Sequence, residues 1–172
     1  MKHGLAILFA LAGLTPGAVT ARAQQAAARP NSSEKGTDTK PNTAIRRMNP
    51  PGLSKPNGYA QVVVATGGRE IYLAGQTPVD KEGNVVSPGD FRGQAIQAFE
   101  NVKAALAAAG VGFDQVVRIN YYVLDMANAA VLREVRLKYL ASALPASTLI
   151  EVKRLARDGY MLEIEATAVS AK

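Results

Sequence analysis

The chain has 172 residues, and 20 lysines and arginines against 14 aspartates and glutamates give it a net charge of +6 at pH 7. It contains no cysteine, and its one histidine is His3, so the chain beyond His3 has no Ser-His-Asp or Cys-His catalytic set and no zinc site of the usual ligand types. The basic residues are scattered rather than clustered, so we expect no nucleic-acid partner.

The first 23 residues have the layout of a secretory signal peptide. A short polar start precedes the mostly apolar run Leu5–Leu14, and Ala21-Arg22-Ala23 provides a small-x-small cleavage site. The apolar run is too short to span a bilayer. The alternative is an N-terminal core helix, but the segment that follows offers it nothing to pack against. We therefore predict export to the periplasm or the outside, and no membrane-spanning segment.

Residues 24–43 contain no Leu, Ile, Val, Met or aromatic residue. Such a segment cannot bury enough apolar surface to offset the entropy lost on ordering. We predict a disordered tether over 24–43 and one folded domain over 44–172, a length ordinary for a single domain.

Two strands are predicted early in the domain. Tyr59–Thr66 is rich in valine, and Glu70–Gln76 follows it after Gly67-Gly68. Two glycines between two apolar runs are typical of a hairpin turn, so we predict a hairpin here. Residues 44–48 are predicted to add a short edge strand.

A helix, a strand and a second helix follow. The first helix is predicted from Asp90, a favourable N-cap, to Gly110, with one apolar stripe along it. The strand Asp114–Leu124 places Val117, Ile119, Tyr121 and Val123 on one face. The second helix is predicted over Asn128–Leu140.

The C-terminal part is predicted to form a hairpin, Thr148–Leu155 with Tyr160–Val169, across Arg157-Asp158-Gly159. The predicted fold is α+β, in the order β-β-β-α-β-α-β-β, with a six-stranded, mainly antiparallel sheet and both helices on one face. The last strand has an apolar face and a mixed face. The mixed face of the sheet is a candidate surface for self-association.

Four linked segments resemble one family. LPASTLIEVKRLARDGYMLEIEATAV, at Leu144–Val169, resembles the signature of the Rid/YjgF family of reactive enamine/imine deaminases, formerly labelled L-PSP endoribonuclease-like. The other three are YLAGQTPVDKEGNVV (Tyr72–Val86), QAFENVKAALAAAG (Gln97–Gly110) and VVRINYYVLDM (Val116–Met126). The resemblance implies a chorismate-mutase-like sandwich, a homotrimer, and clefts for a small organic acid or other small metabolite at the subunit interfaces.

The resemblance also implies a chemistry. In deaminating members an arginine grips the carboxylate of a 2-imino acid, and a glutamate on the last strand positions the water that attacks the C=N carbon. Ammonia leaves and a 2-keto acid remains. An active member is therefore a hydrolase, for which we predict neither a cofactor nor a metal.

Carried over by position, the catalytic glutamate falls on Glu163. The resemblance places the substrate-binding positions on one tyrosine, two residues of an early strand, one residue of the second helix and three residues of the signature segment: Tyr59, Ala74, Gly75, Arg133, Ser147, Thr148 and Leu149. Ser147 stands where deaminating members have the arginine. A hydroxyl cannot copy the planar two-donor fork of a guanidinium, so the resemblance implies altered or reduced deaminase activity.

Two questions stay open, the function and the role of Arg133. The protein could be a non-catalytic homotrimer that binds a small ligand, or, less in keeping with export and scattered charge, act on RNA. Arg133 could take over anion binding, or belong to a solvated helix face beside Glu134, Arg136 and Lys138. For Glu165 we expect cross-strand pairing with Lys153 or its neighbours. Tyr121 and Tyr122 are predicted to be core and interface residues.

Overall fold

The computed structural model describes residues 44–141 and 143–171; the predicted signal peptide (1–23) and tether (24–43) lie outside them. Six strands and two helices follow in the predicted order: β1 (Ala44–Met48), β2 (Val62–Thr66), β3 (Arg69–Gln76), α1 (Phe91–Ala108), β4 (Val116–Val123), α2 (Ala129–Leu140), β5 (Ala146–Glu151) and β6 (Leu162–Ser170). Short 3₁₀ turns at Phe113–Gln115 and Met126–Asn128 precede β4 and α2. Within the described ranges, no helix is long and apolar enough to cross a membrane.

The strands form two sheets rather than one six-stranded sheet. A four-stranded sheet has the order β3-β6-β4-β5, and β1 pairs with β2 in a separate antiparallel ladder. The predicted hairpin of β2 with β3 is therefore wrong, whereas the short strand at 44–48 is confirmed. Gly67 and Gly68 both have positive φ, 69° and 88°. They redirect the chain from one sheet into the other instead of closing a ladder.

The predicted C-terminal hairpin is also wrong. β5 pairs in parallel with β4, and β6 pairs antiparallel with β4 on its other side. β4 thus lies between the two strands that the turn at Arg157-Asp158-Gly159 was expected to join. The reason is the helix between β4 and β5, because a strand–helix–strand crossover returns the chain parallel to its first strand.

The first helix begins and ends where its sequence signals indicate. The side chain of Asp90 accepts a hydrogen bond from the backbone N–H of Arg92 at 3.0 Å. At the other end Gly110 has a φ of 76°, and the N–H of Val111 donates to the carbonyl of Leu106 at 3.0 Å. This left-handed glycine terminates the helix, as predicted.

The core lies between the two helices and one face of the four-stranded sheet. Leu162, Ile164, Ala166 and Ala168 of β6 face it, as the alternation of that strand predicts. In β4, however, Val116 is fully buried and Val117 is not. A break in register between Val116 and Arg118 opposite β6 explains the difference, because an irregularity there shifts which side chains face the core.

Among the described residues, Gln94 is a polar side chain that is fully buried in this core. Gln94 on α1 donates from Nε2 to the carbonyl of Gly159 at 2.8 Å, and its Oε1 accepts the N–H of Met161 at 2.9 Å. The apolar-stripe prediction did not include it. Gln94 ties the loop before β6 to the first helix and so helps to fix where β6 begins.

Candidate functional site

A pocket of about 360 Å³ lies between α2, the start of β5 and the chain leading to β2. Four of the predicted binding residues, Tyr59, Arg133, Ser147 and Leu149, line it together. We call it the α2 pocket, and its full lining is Lys55, Asn57, Tyr59, Ala129, Leu132, Arg133, Arg136, Ser147 and Leu149. Its volume is that of a site for a small metabolite.

Helix and strand periodicity place these residues on one side. Arg133 and Arg136 are three positions apart on α2 and share a helix face. On β5, Ser147 is the register partner of Ile119 and Leu149 that of Tyr121. Register partners in neighbouring strands point to the same side of a sheet, so Ser147 and Leu149 point to the helix side. The α2 pocket is therefore at the helix-side edge of the sheet.

The loop before β2 is held against α2 and the start of β5 by two hydrogen bonds. The Nη2 of Arg136 donates to the carbonyl of Asn57 at 2.5 Å. The N–H of Ala60 donates to the carbonyl of Pro145 at 3.2 Å, just before β5 begins. These two bonds bracket Tyr59 and fix it beside the strand that carries Ser147.

The charged side chains that line the α2 pocket are all basic. Lys55, Arg133 and Arg136 line it, and no aspartate or glutamate among the described residues does. In the part of the chain that the structure describes, neither Lys55 nor Arg133 has a hydrogen bond or ion pair from its side chain. Glu134, next to Arg133, is instead bonded to Arg92 of α1 at 2.6 Å. Two cations of the pocket are thus available to a ligand.

Arg136 also lies beside a buried phenol. The hydroxyl of Tyr121 and the Nε of Arg136 are both buried without a hydrogen-bond partner among the described residues. Burial raises the pKa of Tyr121, and the nearby positive charge of Arg136 partly offsets that rise. The tyrosine is therefore neutral at ordinary pH and does not offset the guanidinium charge of Arg136, which lines the pocket.

Glu163 lies on the opposite side of the sheet, against Gly75. A Cβ built on Gly75 would overlap the carboxylate of Glu163 and would lie 2.6 Å from its carboxyl carbon. Only glycine leaves room for the glutamate in this position. Glu163 is the register partner of Tyr122, and both line a second pocket of about 350 Å³ on the face away from the helices.

Glu165 belongs to a polar network on this same open face. Its Oε1 accepts hydrogen bonds from Asn120 Nδ2 at 2.5 Å and from the hydroxyl of Tyr122 at 3.0 Å. The expected pairing of Glu165 with Lys153 is wrong, because β4 and not β5 is the neighbour of β6. Burial, then the hydrogen bond to Glu165, raises the pKa of Tyr122.

The structure thus separates the predicted site residues into two groups. Tyr59, Arg133, Ser147 and Leu149 share the α2 pocket, whereas Glu163 and Gly75 meet on the other side of the sheet. Thr148 alternates with its neighbours and points to the open face, where it is exposed, and Ala74 is exposed on β3. Within one chain the two groups do not form a single site.

Five lining residues of the α2 pocket were not predicted as site residues: Lys55, Asn57, Ala129, Leu132 and Arg136. Arg136 could have been found from its three-residue spacing after Arg133. Lys55 and Asn57 lie in a loop whose sequence carries no period, so no local signal marks them. No cluster of aspartate, glutamate or histidine that could hold a metal occurs in residues 44–141 and 143–171.

Comparison with known proteins adds independent information. The sequence profile described as Endoribonuclease L-PSP matches residues 52–170. A RutC family protein from Pyrococcus horikoshii is 38% identical over 115 residues, covering 66% of this chain and 89% of that protein. A 2-iminobutanoate/2-iminopropanoate deaminase from Mus musculus is 35% identical over 111 residues, covering 64% and 80%.

A solved structure is also similar. The crystal structure of a Rid-family protein, YyfB from Yersinia pestis, superposes with a TM-score of 0.69 at 31% sequence identity. The superposition covers 73% of this chain and 98% of that protein. The similarity therefore extends over nearly the whole length of the solved chain.

Proposed function

The chain belongs to the Endoribonuclease L-PSP family, also called Rid/YjgF, and on that premise we propose that it is a small-metabolite protein related to the 2-imino acid deaminases, with altered or reduced deaminase activity. The observation that carries the proposal is the α2 pocket. Four positions at which the family resemblance predicts ligand contacts line this one cavity, and Ser147 is among them.

The separation of Glu163 from the α2 pocket supports a site built from two subunits. Within one chain the sheet lies between them, so a ligand in the α2 pocket cannot reach this carboxylate. Rid-family proteins are generally homotrimers. We propose that this chain is one too, and that Glu163 and Gly75 of one subunit meet the α2 pocket of its neighbour.

The reaction follows from these groups. The carboxylate of Glu163 takes a proton from water as the water oxygen bonds to the C=N carbon, and it passes that proton to the nitrogen, which gives a carbinolamine. The carbinolamine hydroxyl then loses its proton while the amino nitrogen gains one, so the C–N bond breaks, ammonia leaves and a C=O bond forms. Glu163 is the base in this scheme, and the backbone at Gly75 leaves the space that its carboxylate occupies.

Ser147 is the reason to expect altered activity. Losing a charged hydrogen-bond partner for a ligand carboxylate costs about 2–5 kcal/mol. Arg133 lies in the same pocket and has no partner among the described residues, so it is placed to supply a cation from the helix. We propose that carboxylate binding has moved from β5 to α2.

The alternative function is a non-catalytic homotrimer that binds a small ligand in the same cleft. The same substitution favours it, because an enzyme that has lost its carboxylate grip can retain a pocket without turnover. The two functions differ in one measurable quantity, the rate of imine hydrolysis.

The test is an assay with 2-iminopropanoate generated in solution, in which 2-keto acid formation is followed with the full chain and with Glu163→Gln. We expect wild type to exceed the buffer rate and Glu163→Gln to return to it. A wild-type rate equal to buffer would overturn the deaminase function. Ligand binding without turnover would establish the alternative.

We also propose that the protein is exported, on the strength of the signal-like sequence at residues 1–23. Sequencing the N-terminus of the protein recovered from the cell envelope or medium tests this. A first residue of Gln24 is expected, and a protein found only in the cytosol with Met1 intact would contradict export.

A further inference from the structure

The α2 pocket carries more positive charge than one carboxylate requires. A single arginine suffices to hold a carboxylate in a two-donor fork. Here Lys55 comes from the loop before β2, Arg133 from the middle of α2, and Arg136 from one turn further along. No acidic residue among the described residues of the same chain lines the cavity, and an ion pair with Arg92 occupies the nearby Glu134.

The three cationic side chains differ in how strongly neighbouring residues hold them. Arg136 is half-buried, is bonded to the carbonyl of Asn57 and lies against Gly58, where a Cβ would be 2.6 Å from Nη2. It is a fixed charge that also holds the loop. Lys55 and Arg133 are exposed, are carried by different elements, and have no partner among the described residues. They are the two groups that a ligand can reach.

The same cavity also has apolar lining residues, Ala129, Leu132 and Leu149. A short carbon chain with an anionic group at each end matches this arrangement of apolar lining and separate cations. A lone phosphate does not, because it would leave the apolar part of the lining uncovered.

Resting on the proposed function, we infer that the α2 pocket selects a small dicarboxylate, such as a 2-keto or 2-imino acid with a second carboxylate. One carboxylate binds Arg133 and the other binds Lys55. Arg136 is a positioning residue that fixes the loop carrying Lys55 and adds to the positive potential.

The experiment compares two stable 2-keto acids, 2-oxoglutarate and 2-oxobutanoate, by titration calorimetry on the full chain. The first carries a second carboxylate and the second does not. We expect 2-oxoglutarate to bind at least tenfold tighter, and Arg133→Gln or Lys55→Gln to reduce that preference at least fivefold. Lys138→Gln is the matched control: it removes an exposed cation from the same helix outside the pocket, and the preference should persist.

Equal affinity for the two acids, or a preference that survives both pocket variants, would overturn the inference. So would inorganic phosphate that competes as well as 2-oxoglutarate. These outcomes leave the proposed function standing if 2-oxobutanoate still binds or 2-iminopropanoate is still hydrolysed. The proposed function fails as well only if neither acid binds and imine hydrolysis stays at the buffer rate.

Discussion

The carboxylate of Glu163 lies directly over the α-carbon of Gly75, in the space that any other residue at position 75 would fill with its Cβ. The contact joins β6 to β3 on the face of the sheet away from the helices. The contact places Gly75 against Glu163, the carboxylate that the family resemblance predicts to be catalytic.

Gly75→Ala is expected to displace Glu163 more than it destabilises the fold. The overlap is with the end of a flexible side chain, which can rotate away, so we expect a loss of about 1 kcal/mol or less in the free energy of unfolding. Imine hydrolysis should fall at least tenfold. Gly52→Ala is the matched control, because nothing lies within 4 Å of a Cβ there. Unchanged hydrolysis in Gly75→Ala would contradict a positional role for this contact.

Gln94→Met tests the link between α1 and the start of β6. Methionine keeps a similar length but loses both hydrogen bonds, leaving the carbonyl of Gly159 and the N–H of Met161 without this partner. We expect the free energy of unfolding in urea to fall by about 2 kcal/mol. A loss below about 0.5 kcal/mol would mean that water replaces both bonds.

Tyr121→Phe should leave stability unchanged or raise it by up to about 1 kcal/mol. The Tyr121 hydroxyl is buried without a hydrogen-bond partner among the described residues, and a buried polar group without a partner costs free energy. Chemical denaturation measures the effect. A loss of more than about 1 kcal/mol would show that the hydroxyl has a favourable partner, the adjacent Arg136 being the first candidate.

The raised pKa of Tyr139 predicts a loss of stability in alkali. Burial, followed by the hydrogen bond of its hydroxyl to Glu100 at 2.9 Å, raises the pKa of Tyr139 to about 12. The unfolded chain loses this proton near pH 10. The contribution of protonated Tyr139 to the free energy of unfolding is therefore complete below about pH 10, and it disappears as the pH rises toward 12. Tyr139→Phe, which keeps the stacking on Phe99, should show a shallower fall in the free energy of unfolding over this range. Equal slopes for the two proteins would contradict the raised pKa.

The helices and the alternation of β6 could be predicted because their signals are local. Asp90 and Gly110 mark the two ends of α1 through hydrogen bonds and a backbone conformation that involve only residues within about one turn along the chain. Strand pairing is not local. The turn residues at Arg157-Asp158-Gly159 suggested a hairpin, but the partner of β5 was decided by the crossover through α2.

The candidate site also combines residues that could be predicted from the sequence with residues that could not. The resemblance identified Tyr59, Arg133, Ser147 and Leu149, and the fold brings them into one pocket. Lys55 could not be predicted, because its place depends on a loop that a bond from Arg136 holds to α2. The opposite-face location of Glu163 follows from the register of three strands, which no single segment specifies.

Ser147→Arg tests the central claim most directly, that this is a deaminase-type cleft in which the carboxylate grip on β5 has been lost. The measurement is the rate of 2-keto acid formation from 2-iminopropanoate, compared with wild type at equal concentration of folded protein. Restoring the two-donor fork at position 147 should raise the rate at least tenfold, since about 1.4 kcal/mol of recovered transition-state binding is enough for that gain. A folded Ser147→Arg protein with no gain over wild type would contradict the claim.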